Sequence, residues 1–146
     1  KDIFVKVACH ILRGGKLNVV GDKIDSFKSF MNPVPVETNE GKSLVGEVIY
    51  IDRFGNIITN IDKDFFNQIR GDRDFIIHLP RKRELNKIYK TYNDVPESET
   101  LVLFNSSKLL EVAINRADKN AESGASTLLG IEEGNQIIIN FFKKTA

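Results

Sequence analysis

The 146-residue sequence has no tryptophan, one cysteine, one methionine, two histidines and four prolines. Each shortage excludes something. A lone thiol, Cys9, cannot close an internal disulfide, so the expectation is a reducing, cytoplasmic setting. Cys9 lies in the apolar stretch Val7–Leu12 and reads as a buried, inert thiol. One cysteine and two scattered histidines fall short of a zinc site's three or four ligands, so no metal site is expected. A nucleophile needs a base within reach, and the only histidines are His10 and His78. His10 sits on the opening helical stretch. His78, beside Ile77 and Leu79, reads as a surface or satisfied histidine. No glycine pattern of the Walker or dinucleotide-binding kind occurs. No apolar run approaches the roughly 20 residues of a membrane span, and no signal peptide is visible. Charge of one sign is missing too, since 21 basic and 20 acidic residues leave a net +1. That balance provides no field for gathering nucleic acid, and none is expected as a partner. The basic run Arg81-Lys82-Arg83, beside a proline, reads as a solvated loop.

What is present suits a globular chain, with 41% hydrophobic and 28% charged residues. Ile3, Phe4, Val7, Ala8, Ile11 and Leu12 recur at helical spacing until Gly14-Gly15 ends the run. Lys1 opens directly into this pattern, as a fragment would, and the helix's natural partner is expected upstream. Residues 1–20 therefore read as the terminal helix and linker of a missing N-terminal domain, and residues 21–146 as the domain proper.

Pro33 and Pro35 exclude helix and impose an extended path through Val34 and Val36. Leu44 to Ile61 is the strongest strand signal, rich in β-branched and aromatic residues. It is interrupted once, at Asp52-Arg53-Phe54-Gly55-Asn56, as a bulged turn between two strands would be. Asp62 can cap a short helix reaching Ile69. Asp74–Leu79, Asn86–Tyr92, Thr100–Phe104, Leu109–Asn115 and Gln136–Phe142 read as strands, and Ala117–Leu129 as a loop with a helical turn. About seven short strands without βαβ alternation predict a mainly β fold. The expected architecture is a closed antiparallel β-barrel, preceded by one α-helix left over from an N-terminal α/β domain.

No self-sufficient active site emerges, but a binding cluster does. Asp52, Phe54 and Asn56 fall where a strand is interrupted and side chains can converge. A carboxylate pairs with an ammonium group, an aromatic ring stacks, and an asparagine amide matches the amine and adjacent ring nitrogen of adenine. Asn105-Ser106-Ser107 follows a strand and offers hydroxyls and backbone N–H groups to a carboxylate. A plain hairpin turn at 52–56, with Asp and Asn placed for backbone reasons, stays open at this point.

The sixteen residues Gly46-Glu47-Val48-Ile49-Tyr50-Ile51-Asp52-Arg53-Phe54-Gly55-Asn56-Ile57-Ile58-Thr59-Asn60-Ile61 resemble the signature of the S-adenosylmethionine hydroxide adenosyltransferases. These are relatives of the bacterial fluorinating and chlorinating enzymes. Thr91-Tyr92-Asn93-Asp94-Val95-Pro96 and the run Asn105 to Asn115 resemble two further family stretches in the same order. Asp2 to Ala8 resembles the helix closing the family's N-terminal domain.

The resemblance implies hydrolysis of S-adenosylmethionine to adenosine and methionine by hydroxide attack at the 5′ carbon, without metal or organic cofactor. It implies a homotrimer in which each site lies between one subunit's barrel and the N-terminal domain of its neighbour. Carried over, Asp52 holds the methionine ammonium, Asn56 reads adenine, and Ser106, with Ser107 beside it, binds the methionine carboxylate. Tyr92 packs against the nucleoside, and backbone near Asn115 and Arg116 faces adenine. No catalytic residue is expected in this chain, because the family's hydroxide-preparing residues precede it, and the chain alone is expected to be inactive. Lys108 departs from the family by replacing a usual glycine. A halogenase relative is one alternative, weakened by the lack of the fluorinating enzymes' tryptophan near Ile57-Ile58. A non-catalytic β-barrel binding or adapter module is the other.

Overall fold

A computed structural model describes residues 2–26, 34–116 and 124–144. The chain divides into two compact units, Lys1–Met31 and Asn32–Ala146. In the first, helix α1 (Asp2–Leu12) ends where Gly14 takes φ 77° and the Gly15 N–H returns to the His10 carbonyl at 2.9 Å. Ile3, Phe4, Val5 and Leu12 are exposed, and so is Cys9. This corrects the expectation of a buried thiol. A single helix of 11 residues presents most of its circumference to its surroundings, and Cys9 does not lie on a covered stripe.

The second unit is a nearly closed antiparallel barrel. Its strands are β1 (Val36–Thr38), β2 (Ser43–Ile51), β3 (Ile57–Asp62), β4 (Asp74–Leu79), β5 (Arg83–Leu85), β6 (Thr100–Phe104), β7 (Leu109–Ile114) and β8 (Gln136–Phe142). Helix α2 (Lys63–Arg70) follows β3 and helix α3 (Ala125–Leu129) precedes β8. Strand order is β5-β4-β8-β2-β3-β7-β6, with β1 on β2. β2 serves both halves of the barrel: Ser43–Glu47 pair with β8, and Val48–Ile51 pair with β3. Gly46 sits just before the changeover, where a Cβ would come within 2.3 Å of the Ile61 side chain. Only glycine lets the strand turn that corner against its neighbour.

The two end strands are joined by side chains and a strap. Arg83 donates to the Thr100 hydroxyl, and the Tyr89 N–H donates to the Val102 carbonyl at 2.8 Å. Asn86–Tyr92 is therefore not a barrel strand as expected. The short β5 at Arg83–Leu85 takes its place, and Tyr89 makes one isolated bridge, to Leu103. Asp94 explains the departure: its carboxylate accepts from the Lys90 and Thr91 N–H groups at 2.9 and 3.0 Å. Those donors are lost to any ladder, and a 3₁₀ turn at Tyr92–Asp94 results. The same bonds hold the Asp94 carboxyl below its usual range. The basic run is also only partly a loop, since Arg83 begins β5 while Arg81 and Lys82 form the turn at φ 60° and 57°.

Apolar side chains from both halves of the barrel fill the interior, including Leu44, Ile57, Ile61, Leu110, Ile137 and Ile139. Asp62 caps α2 as expected, accepting from the Asp64 and Phe65 N–H groups. The cap aims Phe66 into the core, where its ring meets Phe75, Phe104 and Phe141 at 5.3 to 5.8 Å. Residues 117–123 of the expected loop lie outside the described residues, and its helical turn is α3. Among the described residues no helix is long and apolar enough to cross a membrane.

Candidate functional site

The turn between β2 and β3 is built around one carboxylate. Asp52 Oδ1 accepts from the Phe54 and Asn56 N–H groups at 2.8 and 3.0 Å, and Oδ2 accepts from Asn56 Nδ2 at 2.9 Å. A carboxylate offers about four acceptor positions. Three are filled, and the fourth is on Oδ2. Asn56 is buried, and its remaining amide hydrogen and oxygen have no partner among the described residues. Gly55 adopts φ 76°, and a Cβ there would lie 2.8 Å from Gly124 Cα. The Gly55 carbonyl accepts from the Ser126 N–H at 2.9 Å, so the start of α3 backs the turn.

Phe54 and Asn56 from this turn meet Tyr92, Ile114 and Arg116 around a cavity of about 240 Å³. Four residues expected at the site thus line one space, with Asp52 bonded to two of its walls. Arg53 lies 4.7 Å over the Phe54 ring, fixing the aromatic wall from outside. Arg116 is ion-paired with Glu97. Asn115 is placed differently. Its amide donates to the Val95 carbonyl at 2.8 Å, and its backbone bonds Ser98 and Glu99, so its side chain braces the wall.

Ser106 and Ser107 stand on a second, exposed turn between β6 and β7 and do not line that cavity. Asn105 organises it, its Oδ1 accepting from the Ser107 and Leu109 N–H groups at 2.9 and 3.2 Å. Lys108 holds φ 63°, the conformation a glycine would favour, and its Nζ pairs with Asp64 at 2.8 Å. The turn thus makes a backbone demand that glycine would meet freely and that lysine here meets under strain.

Glu111 links Tyr92 to the second turn and was not singled out from the sequence. Its carboxylate accepts from the Tyr92 hydroxyl and from Asn105 Nδ2, the latter at 3.2 Å. Burial, then the hydrogen bond to Glu111, then the charges of Glu111 and Asp52 hold the Tyr92 phenol well above the ordinary tyrosine range. A lone acid inside the apolar run Leu109–Ile114 was the available signal. Ser126 and Gly124 carried no such signal, since only the folded chain brings them behind Gly55. Among the described residues no three His, Cys, Asp or Glu side chains converge as metal ligands would. His78 is satisfied far from this site, between Glu84 and Asn140.

Residues 46–138 match the family model described as the SAM hydroxide adenosyltransferase C-terminal domain. The chain is 28% identical over 134 residues to a Thermus thermophilus protein named (R)-S-adenosyl-L-methionine hydrolase, covering 92% of this chain and 45% of that protein. A Salinispora tropica protein of the same name is 26% identical over 141 residues, with 94% and 48% covered. A Thermotoga maritima crystal structure superimposes with a TM-score of 0.65 at 34% identity, over 92% of this chain and 49% of that one. The chain spans about half the length of the curated relatives it matches.

Proposed function

Because the chain belongs to the SAM hydroxide adenosyltransferase C-terminal domain family, we propose that it binds substrate in an enzyme that hydrolyses S-adenosylmethionine to adenosine and methionine. One observation carries the reading: Phe54, Asn56, Tyr92 and Arg116 converge on a single cavity, with Asp52 hydrogen-bonded into its wall.

In this reaction hydroxide attacks the 5′ carbon and the carbon–sulfur bond breaks. The bonding pair passes to sulfur, which leaves as the neutral thioether of methionine. The sulfonium is already a good leaving group, so holding both ends in line supplies much of the acceleration. Asp52 Oδ2 has the acceptor position for the methionine ammonium. Asn56 has a free amide edge for adenine, and Phe54 and Tyr92 supply faces for the nucleoside. The turn carrying Ser106 and Ser107 offers donors for the methionine carboxylate, and Arg116 and Asn115 bound the adenine side. No metal or organic cofactor is called for. The nucleophile site belongs to the N-terminal domain of a neighbouring subunit in a cytoplasmic homotrimer. Hydroxide is favoured over halide by the absence of tryptophan from the sequence.

The test is to incubate the natural protein that contains this chain with S-adenosylmethionine and follow adenosine and methionine by chromatography. Equal amounts of both, falling by about a hundredfold or more in Asp52→Asn, are expected for loss of a charged partner in the transition state. Halogenated nucleoside in the presence of chloride or fluoride would replace hydrolysis by halogenation. No product under either condition would leave the barrel as a binding module.

A further inference from the structure

Among the described residues Glu111 is the only buried acidic or basic side chain, at 5% exposure. A buried charge costs stability unless it is paired or fully hydrogen-bonded. No ion pair among the described residues includes Glu111. Its two partners are instead the Tyr92 hydroxyl on one oxygen and Asn105 Nδ2 on the other. The direction of the Asn105 hydrogen bond is determined by its own amide. Asn105 Oδ1 already accepts two backbone N–H groups, so the amide cannot turn over, and Nδ2 must donate to Glu111. As a carboxylate, Glu111 accepts from the Tyr92 hydroxyl as well, which commits the Tyr92 proton inward. With that proton committed, the Tyr92 oxygen has only lone pairs left for a further partner.

We propose that Glu111 is a positioning residue and a determinant of specificity: it holds Tyr92 as a hydrogen-bond acceptor on the cavity wall and couples that wall to the serine turn. The ligand group that meets Tyr92 is accordingly a donor, of the kind an amine or a sugar hydroxyl presents. The proposal rests on the adenosine-binding reading above. The chemistry also explains why a carboxylate is kept in an otherwise apolar strand, since only a group accepting on two oxygens satisfies both partners.

The test is a double-mutant cycle on adenosine affinity, measured by calorimetry in the natural protein with Glu111→Gln, Tyr92→Phe and the pair combined. Glutamine keeps the volume and accepts from Asn105, but it turns its amide N–H groups toward Tyr92 and releases the phenol proton from its inward hydrogen bond. Each single change is expected to weaken adenosine about tenfold, a loss at the upper end for one hydrogen bond between neutral groups. The pair should be no more than about twofold weaker than Tyr92→Phe alone, because both changes remove the same coupling. Additive losses, or unchanged affinity in Glu111→Gln, overturn the proposal. If Glu111→Gln does not fold, Tyr92→Phe decides, and unchanged affinity there overturns it. A parent protein that binds no adenosine overturns the substrate reading and this proposal together, which separates that failure from the first.

Discussion

The two turns that carry the candidate binding residues share one backbone design. Asp52 and Asn105 each begin a five-residue turn, each accepting on Oδ1 from the N–H groups two and four residues on. In each, the first N–H donates to the last carbonyl, at 3.1 Å for Asp52 to Asn56 and 3.0 Å for Asn105 to Leu109. In each, the fourth residue takes a positive φ, 76° at Gly55 and 63° at Lys108. What differs is the surroundings. The first turn is pressed against Gly124 and Ser126, is organised by a charged carboxylate, and lends Phe54 and Asn56 to the cavity. The second is exposed, neutral at its organiser, and tied by Asn105 to Glu111. One local solution thus serves two tasks, and tertiary contacts decide which residue each position tolerates.

The largest effect should come from Gly55→Ala. It meets both a left-handed φ and a Gly124 Cα at 2.8 Å, so a loss of about 2–4 kcal/mol is expected, read as a Tm about 10 °C lower. The matched control is the difference between Lys108→Gly and Lys108→Ala, the same glycine-to-alanine step at the same place in a turn that has no such wall. A mild change there and a severe one at Gly55 would confirm that space, not φ alone, separates the turns.

Next come the reciprocal exchanges at the organisers. Asn105→Asp places a second carboxylate against buried Glu111, and a loss of about 1–3 kcal/mol is expected at neutral pH. Acidification should relieve it, because protonating either acid restores a donor between them. Asp52→Asn should fold within about 1 kcal/mol of the parent, because asparagine already organises the twin turn. Its defect should appear in methionine-end binding instead. Urea unfolding of both variants, at pH 5 and pH 8, tests the pair of expectations together.

The smallest effect belongs to Lys108→Gly, which relieves the positive φ but removes the exposed pair with Asp64. A Tm about 2–4 °C higher is expected. The hydrogen bond from Lys108 and its charge hold the Asp64 carboxyl below its usual 3.8. A lowered folded pKa contributes stability above the unfolded value and loses it as pH falls through the folded one. The parent should therefore lose, below about pH 3.8, a contribution that Lys108→Gly never had. Parallel acid melts that do not differ would contradict this.

Much of this was legible beforehand for physical reasons. The β-branched run interrupted at Asp52–Asn56, the Asp62 cap and the alternation in Gln136–Phe142 are local patterns, and local sterics and hydrogen bonding act on them directly. Asn86–Tyr92 misled because its residues suit a strand while Asp94, a few residues on, takes the N–H groups a strand would need. Cys9 misled because helical spacing marks an apolar face without saying what covers it.

Local chemistry in the sequence by itself determined the β-rich class, the two Asx-organised turns and the residue types able to bind a charged nucleoside. Only the tertiary structure decided that Phe54, Asn56, Tyr92 and Arg116 share one cavity, that Gly55 must stay glycine, and that Glu111 joins Tyr92 to the serine turn. Those outcomes depend on contacts between segments as far apart as residues 55 and 124 or 92 and 111. Barrel closure, which buries the shared apolar faces together, sets such distances, and no short window of sequence contains them.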